Sequence, residues 1–198
     1  MGVEINWKLI GDAVEFYKDH GFEYVEVPWI VARDIAEITI PEGLNYDCVM
    51  VAKDHGVLVG SAEQSFLQLQ FMDSHLSLNK PGRFVSCSPC FRNEPVIDKW
   101  HRQTFMKVEL YVTLPDHHEA CEEIIGLAMK FFDGHIADDV ADLRRIMTPL
   151  GYDIELNGIE IGSYGMRKFG NHAWVYGTGL AEPRFSSVLN GSCSQRNV

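Results

Sequence analysis

The 198 residues suffice for one domain with a sizeable core and are too few for two full domains, and a hydrophobic fraction of 46% is ordinary for a globular chain. With 17 Lys and Arg against 28 Asp and Glu, the formal charge of -11 argues against a broad, sequence-independent phosphate-binding face and leaves room for a local basic patch. The start, MGVEINWKLIGDAVEF, is acidic and amphipathic, and no later stretch is long and apolar enough to span a bilayer, so neither a secretory signal nor a membrane partner is expected.

From Trp7 to His20 the apolar residues Leu9, Ile10, Ala13, Val14, Phe16 and Tyr17 recur at helical spacing, and Gly21 supplies a stop. Tyr24, Val25 and Val27 read as a strand that ends or runs along an edge at Pro28, which has no backbone donor. The β-rich runs Tyr46 to Ala52 and Val57 to Gly60, separated by KDHG, predict a hairpin. Ser61 stands where an N-cap would, ahead of Gln64 and a helix marked by Phe66, Leu67, Leu69 and Phe71. Arg83 to Glu94 and Gln103 to Thr113, joined by PVIDKWHR, read as a long antiparallel hairpin. Asp116 caps a helix reaching about Phe132, and a second helix is expected from Asp138 to Met147, closed by Pro149 and Gly151. Tyr152 to Leu156, Ile159 to Ile161 and Ala173 to Tyr176 read as short strands, after which GTGLAEPRFSSVL reads as a glycine turn entering a last helix. This order implies a single α+β domain over residues 1–198, one mostly antiparallel sheet flanked by helices, with no repeat or linker.

The polar residues of the long hairpin carry the most chemistry. Arg92 and Glu94 alternate onto one strand face, so a guanidinium and a carboxylate project together. The guanidinium fork can grip phosphate or carboxylate oxygens, and the carboxylate can accept from an exocyclic amine such as that of adenine. Phe105 on the return strand offers a flat surface for a base, and His101 or Arg102 at the hairpin end can reach outer phosphates. An ordinary salt-bridged surface hairpin would use the same residues, so position along the chain has to decide.

FRNE, a short loop, then HxxxF and VE resembles motif 2 of the class II aminoacyl-tRNA synthetases. The resemblance implies that Arg92 binds the α-phosphate and substrate carboxylate, Glu94 the adenine amino group, His101 the outer phosphates and Phe105 the adenine face. GTGLAEPR is similar to motif 3 and maps Gly177, Gly179 and a γ-phosphate arginine, Arg184, while Ala181 and Pro183 stand where the family has glycine and glutamate. Arg92 and Arg184 are thereby the candidate catalytic pair. HGFEYVEVPWI resembles motif 1, which implies a homodimer through the region around Pro28.

Two further features fall in the order that family requires. Ser61, Ala62 and Glu63 look like a TxE loop whose glutamate meets the substrate amino group, although they also read as a helix cap. Glu160 and Ser163 look like an ExxS pair holding Mg2+, or a solvated strand edge. Glu109 faces the side of Phe105 and Lys107, where it either lines an amino-acid pocket or pairs with Lys107. Cys87 and Cys90 form one CxxC with no second pair and would point to opposite strand faces, so zinc is not expected. The five cysteines, odd in number and irregularly spaced, fit reduced thiols and a cytoplasmic location. Taken together, the resemblance implies a class II synthetase-like core that uses ATP and Mg2+ to activate an amino acid for transfer to tRNA or another acceptor. Seryl-type features (SAE, KVE) and phenylalanyl-type features (FRNE with a short loop, GSYGM) occur together, and no segment is spare for an anticodon-binding domain. The departures at Ala181 and Pro183 motivate the alternative, a non-catalytic paralogue that binds a nucleotide, an amino acid or a partner protein.

Overall fold

A computed structural model describes residues 4–40, 56–72, 80–94, 96–137 and 141–194. Helix α1 (Trp7–Asp19) starts where Asn6 accepts a hydrogen bond from the Leu9 amide at 3.1 Å and buries Leu9, Ile10, Ala13 and Tyr17 on one stripe. Gly21, at φ +86°, turns the chain out of it, a conformation that costs glycine nothing. Strand β1 (Glu23–Tyr24) follows, then β2 (Ile30–Val31), the short helix α2 (Arg33–Glu37) and β3 (Val57–Leu58). Helix α3 (Ala62–Met72) leads to the long strands β4 (Arg83–Phe91) and β5 (Thr104–Val112). Helix α4 (His117–Asp133), capped by Asp116, precedes β6 (Leu143–Thr148), β7 (Gly151–Leu156), β8 (Ile159–Phe169), β9 (His172–Glu182) and helix α5 (Arg184–Ser194).

Among the described residues, seven strands form one sheet in the order β1-β4-β5-β9-β8-β7-β6, in which only the β1–β4 contact is parallel. The expected α+β architecture, a mostly antiparallel sheet flanked by helices, is the one observed. Strand alternation divides the sheet chemically. Val108, Leu110 and Val112 of β5 face a core built with α1, α4 and α5, whereas Tyr111 faces a second core with Phe66 and Leu67 of α3. A fully buried aliphatic or aromatic side chain contributes ~1.5–3 kcal/mol, so these two cores fix the sheet from both sides. Phe105, Lys107 and Glu109 share the parity of Tyr111, and the functional groups therefore gather on the α3 face.

Four expectations need correction or qualification. Leu143–Thr148 is strand β6 rather than the end of a helix, while 138–140 lie outside the described residues. Leu143, Ile146 and Met147 imitate helical spacing, but the backbone pairs with β7 and Arg145 stacks over Tyr152 at 3.7 Å. The segment from Gly177 to Glu182 continues β9 instead of turning, and α5 begins only at Arg184, after a cis Glu182–Pro183 peptide. Val57–Leu58 pairs with Ile30–Val31, and the Tyr46 to Ala52 arm of the expected hairpin lies outside the described residues. The strand expected from Tyr24 to Val27 shrinks to Glu23–Tyr24, with the Val25 amide donating to the Val85 carbonyl at 2.9 Å. No helix among the described residues is long and apolar enough to cross a membrane.

Candidate active site

On the α3 face of the sheet, β5, β8 and β9 line two adjoining cavities of about 80 and 550 Å³ that share Arg92, Lys107, Glu160 and Ser163. The hairpin register explains the sharing. Lys107 and Glu109 lie on β5 beside β9, where Glu109 opposes Thr178 and Lys107 opposes Ala181. Ser163 of β8 opposes Asp153 of β7 and accepts, through its backbone oxygen, from the Thr178 hydroxyl at 3.4 Å. The smaller cavity adds Glu94, Phe105, Trp100 and Arg184. The larger adds Ser61, Glu63, Glu109, Asp153, Arg167 and Tyr176.

Among the described residues, five cations (Arg92, Lys99, Arg102, Lys107 and Arg184) line the smaller cavity against three carboxylates (Glu94, Glu160 and Glu182). The acidic chain thus holds a local basic patch of the kind its composition leaves room for. Arg92 sits over the Phe105 ring at 5.0 Å, and its Nε donates to the Gly60 carbonyl at 3.4 Å. Arg184 donates to the Trp100 carbonyl at 2.9 Å and approaches Glu160 at 3.5 Å, which ties α5 to the hairpin loop. Buried Glu182 accepts from the Ser186 amide at 3.1 Å and hydroxyl at 2.9 Å, fixing the start of that helix; burial raises its pKa against the pull of these bonds.

Beneath the larger cavity the charges are paired. Glu63, 4% exposed at its side chain, accepts from Arg167 at 2.5 Å and from the Trp174 indole at 2.6 Å. Burial pushes the Glu63 carboxyl up, the Arg167 guanidinium opposes this, and the Glu109 charge adds to the rise. Glu109 accepts from Lys107 at 3.0 Å through one oxygen and from the Ser61 hydroxyl at 2.6 Å through the other. Arg167 also covers the Tyr176 ring at 4.3 Å. Half-buried Asp153 has its pKa raised by burial and by the Glu160 and Glu155 charges, with Ser163 opposing.

Of the residues singled out in the sequence, Arg92, Glu94, Phe105, Glu160, Ser163 and Arg184 come together around the smaller cavity, and Glu63 and Glu109 lie at the larger one. His101, Gly177 and Gly179 line neither. His101 is exposed at the hairpin loop, its Nδ1 2.9 Å from Asp98, whose carboxylate also caps the Trp100 and His101 amides and is held down to about pKa 2, chiefly by the His101 side chain. A Cβ on Gly177 would meet Tyr164 at 2.6 Å and Ile124 at 2.7 Å, and one on Gly179 would meet Tyr17 at 2.7 Å, so these glycines admit side chains from the core. Asp153, Arg167, Trp174 and Thr178 also belong to the site, and no motif in the sequence marks them. Strand alternation hints at Asp153 and Arg167, which stand on partly exposed faces of β7 and β8, and gives no signal for buried Thr178 and Trp174.

A seven-stranded, mostly antiparallel sheet with this order and helix placement is the fold of the class II aminoacyl-tRNA synthetase catalytic domain. Among solved structures the chain is similar to a pyrrolysyl-tRNA synthetase, PylSc, from Desulfitobacterium hafniense, with 17% identity over 93% of this chain and 68% of that one at a TM-score of 0.69. It is also similar to the seryl-tRNA synthetase from Pyrococcus horikoshii solved with ATP, at 23% identity and TM-score 0.69, covering 91% of this chain and 48% of that one. A second structure of the Desulfitobacterium hafniense enzyme aligns at 16% identity and TM-score 0.63, over 93% of this chain and 69% of that one. The chain thus spans about half the length of the seryl enzyme. No family model matches it, and no curated protein matches it in sequence.

Proposed function

We propose that the protein binds ATP along the cationic lining of the smaller cavity, whose enclosed volume of about 80 Å³ holds only part of a nucleotide, and an amino acid in the larger, and joins them as an aminoacyl adenylate. The observation that carries this reading is the sharing of Arg92 and Lys107 between a phosphate-suited cationic cavity and a second polar cavity. In this reading a carboxylate oxygen of the amino acid attacks the α-phosphorus, the bond to the bridging oxygen breaks, and pyrophosphate leaves. Arg92 neutralises charge on both the carboxylate and the α-phosphate, Phe105 and Glu94 hold the adenine by its face and amine, and Arg184 receives the outer phosphates. The ATP-bound state of the Pyrococcus horikoshii neighbour is consistent with a nucleotide on this fold.

Glu160 and Ser163 are the residues we assign to Mg2+. No group of three or more His, Cys, Asp or Glu side chains suited to a metal occurs among the described residues. That donor set fits a hard cation that keeps several waters and is held mainly by phosphates, whose contribution when bound is to neutralise the phosphate oxygens. The acyl group would then pass to tRNA or another acceptor. Trp29 and Ile30, 50% and 45% exposed beside Pro28, supply an apolar surface for the homodimer of this reading. Free thiols at Cys87, Cys90 and Cys121 are compatible with a reducing, cytoplasmic compartment.

A second reading is favoured by Arg184, whose guanidinium is already engaged by Trp100 and Glu160 and follows Pro183: a paralogue that binds ATP or a partner protein without turnover. Amino-acid-dependent exchange of pyrophosphate into ATP, measured with each of the twenty amino acids, separates the two. Exchange with at least one is expected of the enzyme. Folded, ATP-binding protein with no exchange would leave the binding paralogue.

A further inference from the structure

Among the described residues, seven charged groups line the larger cavity, and most of them are balanced inside the protein. Arg167 neutralises Glu63 at 2.5 Å, Lys107 neutralises Glu109 at 3.0 Å, and Glu160 lies 3.5 Å from Arg184. Both oxygens of Glu63 and both of Glu109 already hold protein donors. Those two carboxylates build the floor of the cavity; adding an ammonium to either would require displacing a donor or sharing its oxygen.

Two charges are left over. Arg92 makes no ion pair among the described residues, and neither does Asp153. Arg92 stands at the junction of the two cavities, whereas Asp153 lines only the larger. Asp153 is half-buried and lies opposite Ser163 in the β7–β8 register, which sets its carboxylate at the wall of the larger cavity. A partly buried carboxylate with no ion-pair partner among the described residues calls for a positive ligand. An α-amino acid supplies one beside its carboxylate.

We propose that Asp153 holds the α-ammonium of the amino acid whose carboxylate Arg92 grips, so that the cavity selects free zwitterionic amino acids over simple or N-acylated carboxylic acids. This rests on the activation reading above. It assigns Asp153 the binding of substrate charge and leaves Glu63 and Glu109 as positioning residues that hold Arg167 and Lys107 in place.

The test uses the full chain and the amino acid found to support pyrophosphate exchange, with Asp153→Asn as the isosteric, uncharged variant. A charge-assisted hydrogen bond lost on mutation corresponds to roughly 10- to 100-fold in amino-acid KM, with the KM for ATP changed less than about 2-fold. The des-amino counterpart of the same amino acid, used as a competitive inhibitor, separates binding from structure: its inhibition constant should be the same in wild type and variant. Equal weakening of amino acid and des-amino analogue would overturn the proposal, because a distorted cavity affects both. A raised Mg2+ requirement with unchanged amino-acid KM would also overturn it, placing Asp153 on the metal. Absence of exchange in the wild-type protein counts instead against the activation reading itself.

Discussion

Replacing Arg167 with methionine strands the Glu63 carboxylate, which is only 4% exposed at its side chain while Arg167 is 28% exposed. Removing one partner of a buried ion pair costs ~3–5 kcal/mol, because the remaining charge is uncompensated. Two features limit the loss: Trp174 still donates at 2.6 Å, and burial already favours the protonated Glu63 carboxyl. We expect the lower end, ~3 kcal/mol, which for a chain of this size is a fall in Tm of ~6–12 °C. Without Arg167 the folded Glu63 pKa lies further above its unfolded value. Its protonated form then contributes stability that is complete below the unfolded pKa and is lost as pH rises through the folded one. Thermal unfolding of Arg167→Met followed by circular dichroism from pH 4.5 to 8 should therefore show a deficit that grows with pH. Glu63→Gln combined with Arg167→Met should recover at least ~1 kcal/mol, since no charge remains buried. A deficit below ~1 kcal/mol that is independent of pH, with no recovery in the double variant, would refute the buried-pair account.

The remaining predictions follow from single geometries. Phe105→Ala removes the ring beneath Arg92 and the proposed adenine surface, and should raise the KM for ATP roughly 10-fold with a smaller effect on amino-acid KM in exchange kinetics. Gly179→Ala sets a Cβ 2.7 Å from the Tyr17 ring and should lower stability by ~1–3 kcal/mol in urea unfolding, whereas a glycine in an open turn would lose only tenths. Asp98, held to about pKa 2, contributes to hairpin-loop order above its unfolded pKa, and that contribution is lost as pH falls through the window from about 4 to 2. The Trp100 environment should shift over the same window in wild type, monitored by fluorescence against Trp100→Phe, and shift less in Asp98→Asn.

How far the sequence revealed this molecule depended on the range of the interactions. Helices α1 and α4 and the β4–β5 hairpin were legible because their periodicity, the Gly21 stop and the Asp116 cap are local, whereas the Asn6 cap of α1 was not read from the sequence. Strand β6 was not, because LRRIMT spaces its apolar residues like a helix and only pairing with β7 selects the strand. Gly177 and Gly179 looked like turn residues. Their role is steric and depends on Tyr164, Ile124 and Tyr17, which no local pattern places there. The same holds for Glu63, whose partners Arg167 and Trp174 are 104 and 111 residues away. Phe105 and Glu109 were legible because alternation along β5 predicts a common face, whereas Arg92 and Glu94, expected on the strand, lie just past the end of β4 and reach the smaller cavity from there.

The central claim, that the shared cations bring an amino-acid carboxylate to the α-phosphate of ATP, is tested most directly by pyrophosphate exchange with wild-type protein and Arg92→Ala in parallel. The account predicts exchange that depends on one or a few amino acids and falls at least about 100-fold in the variant, as expected for loss of a charge-assisted contact that strengthens in the transition state. Exchange that survives undiminished in Arg92→Ala, or none with any amino acid from folded, ATP-binding wild-type protein, would contradict it.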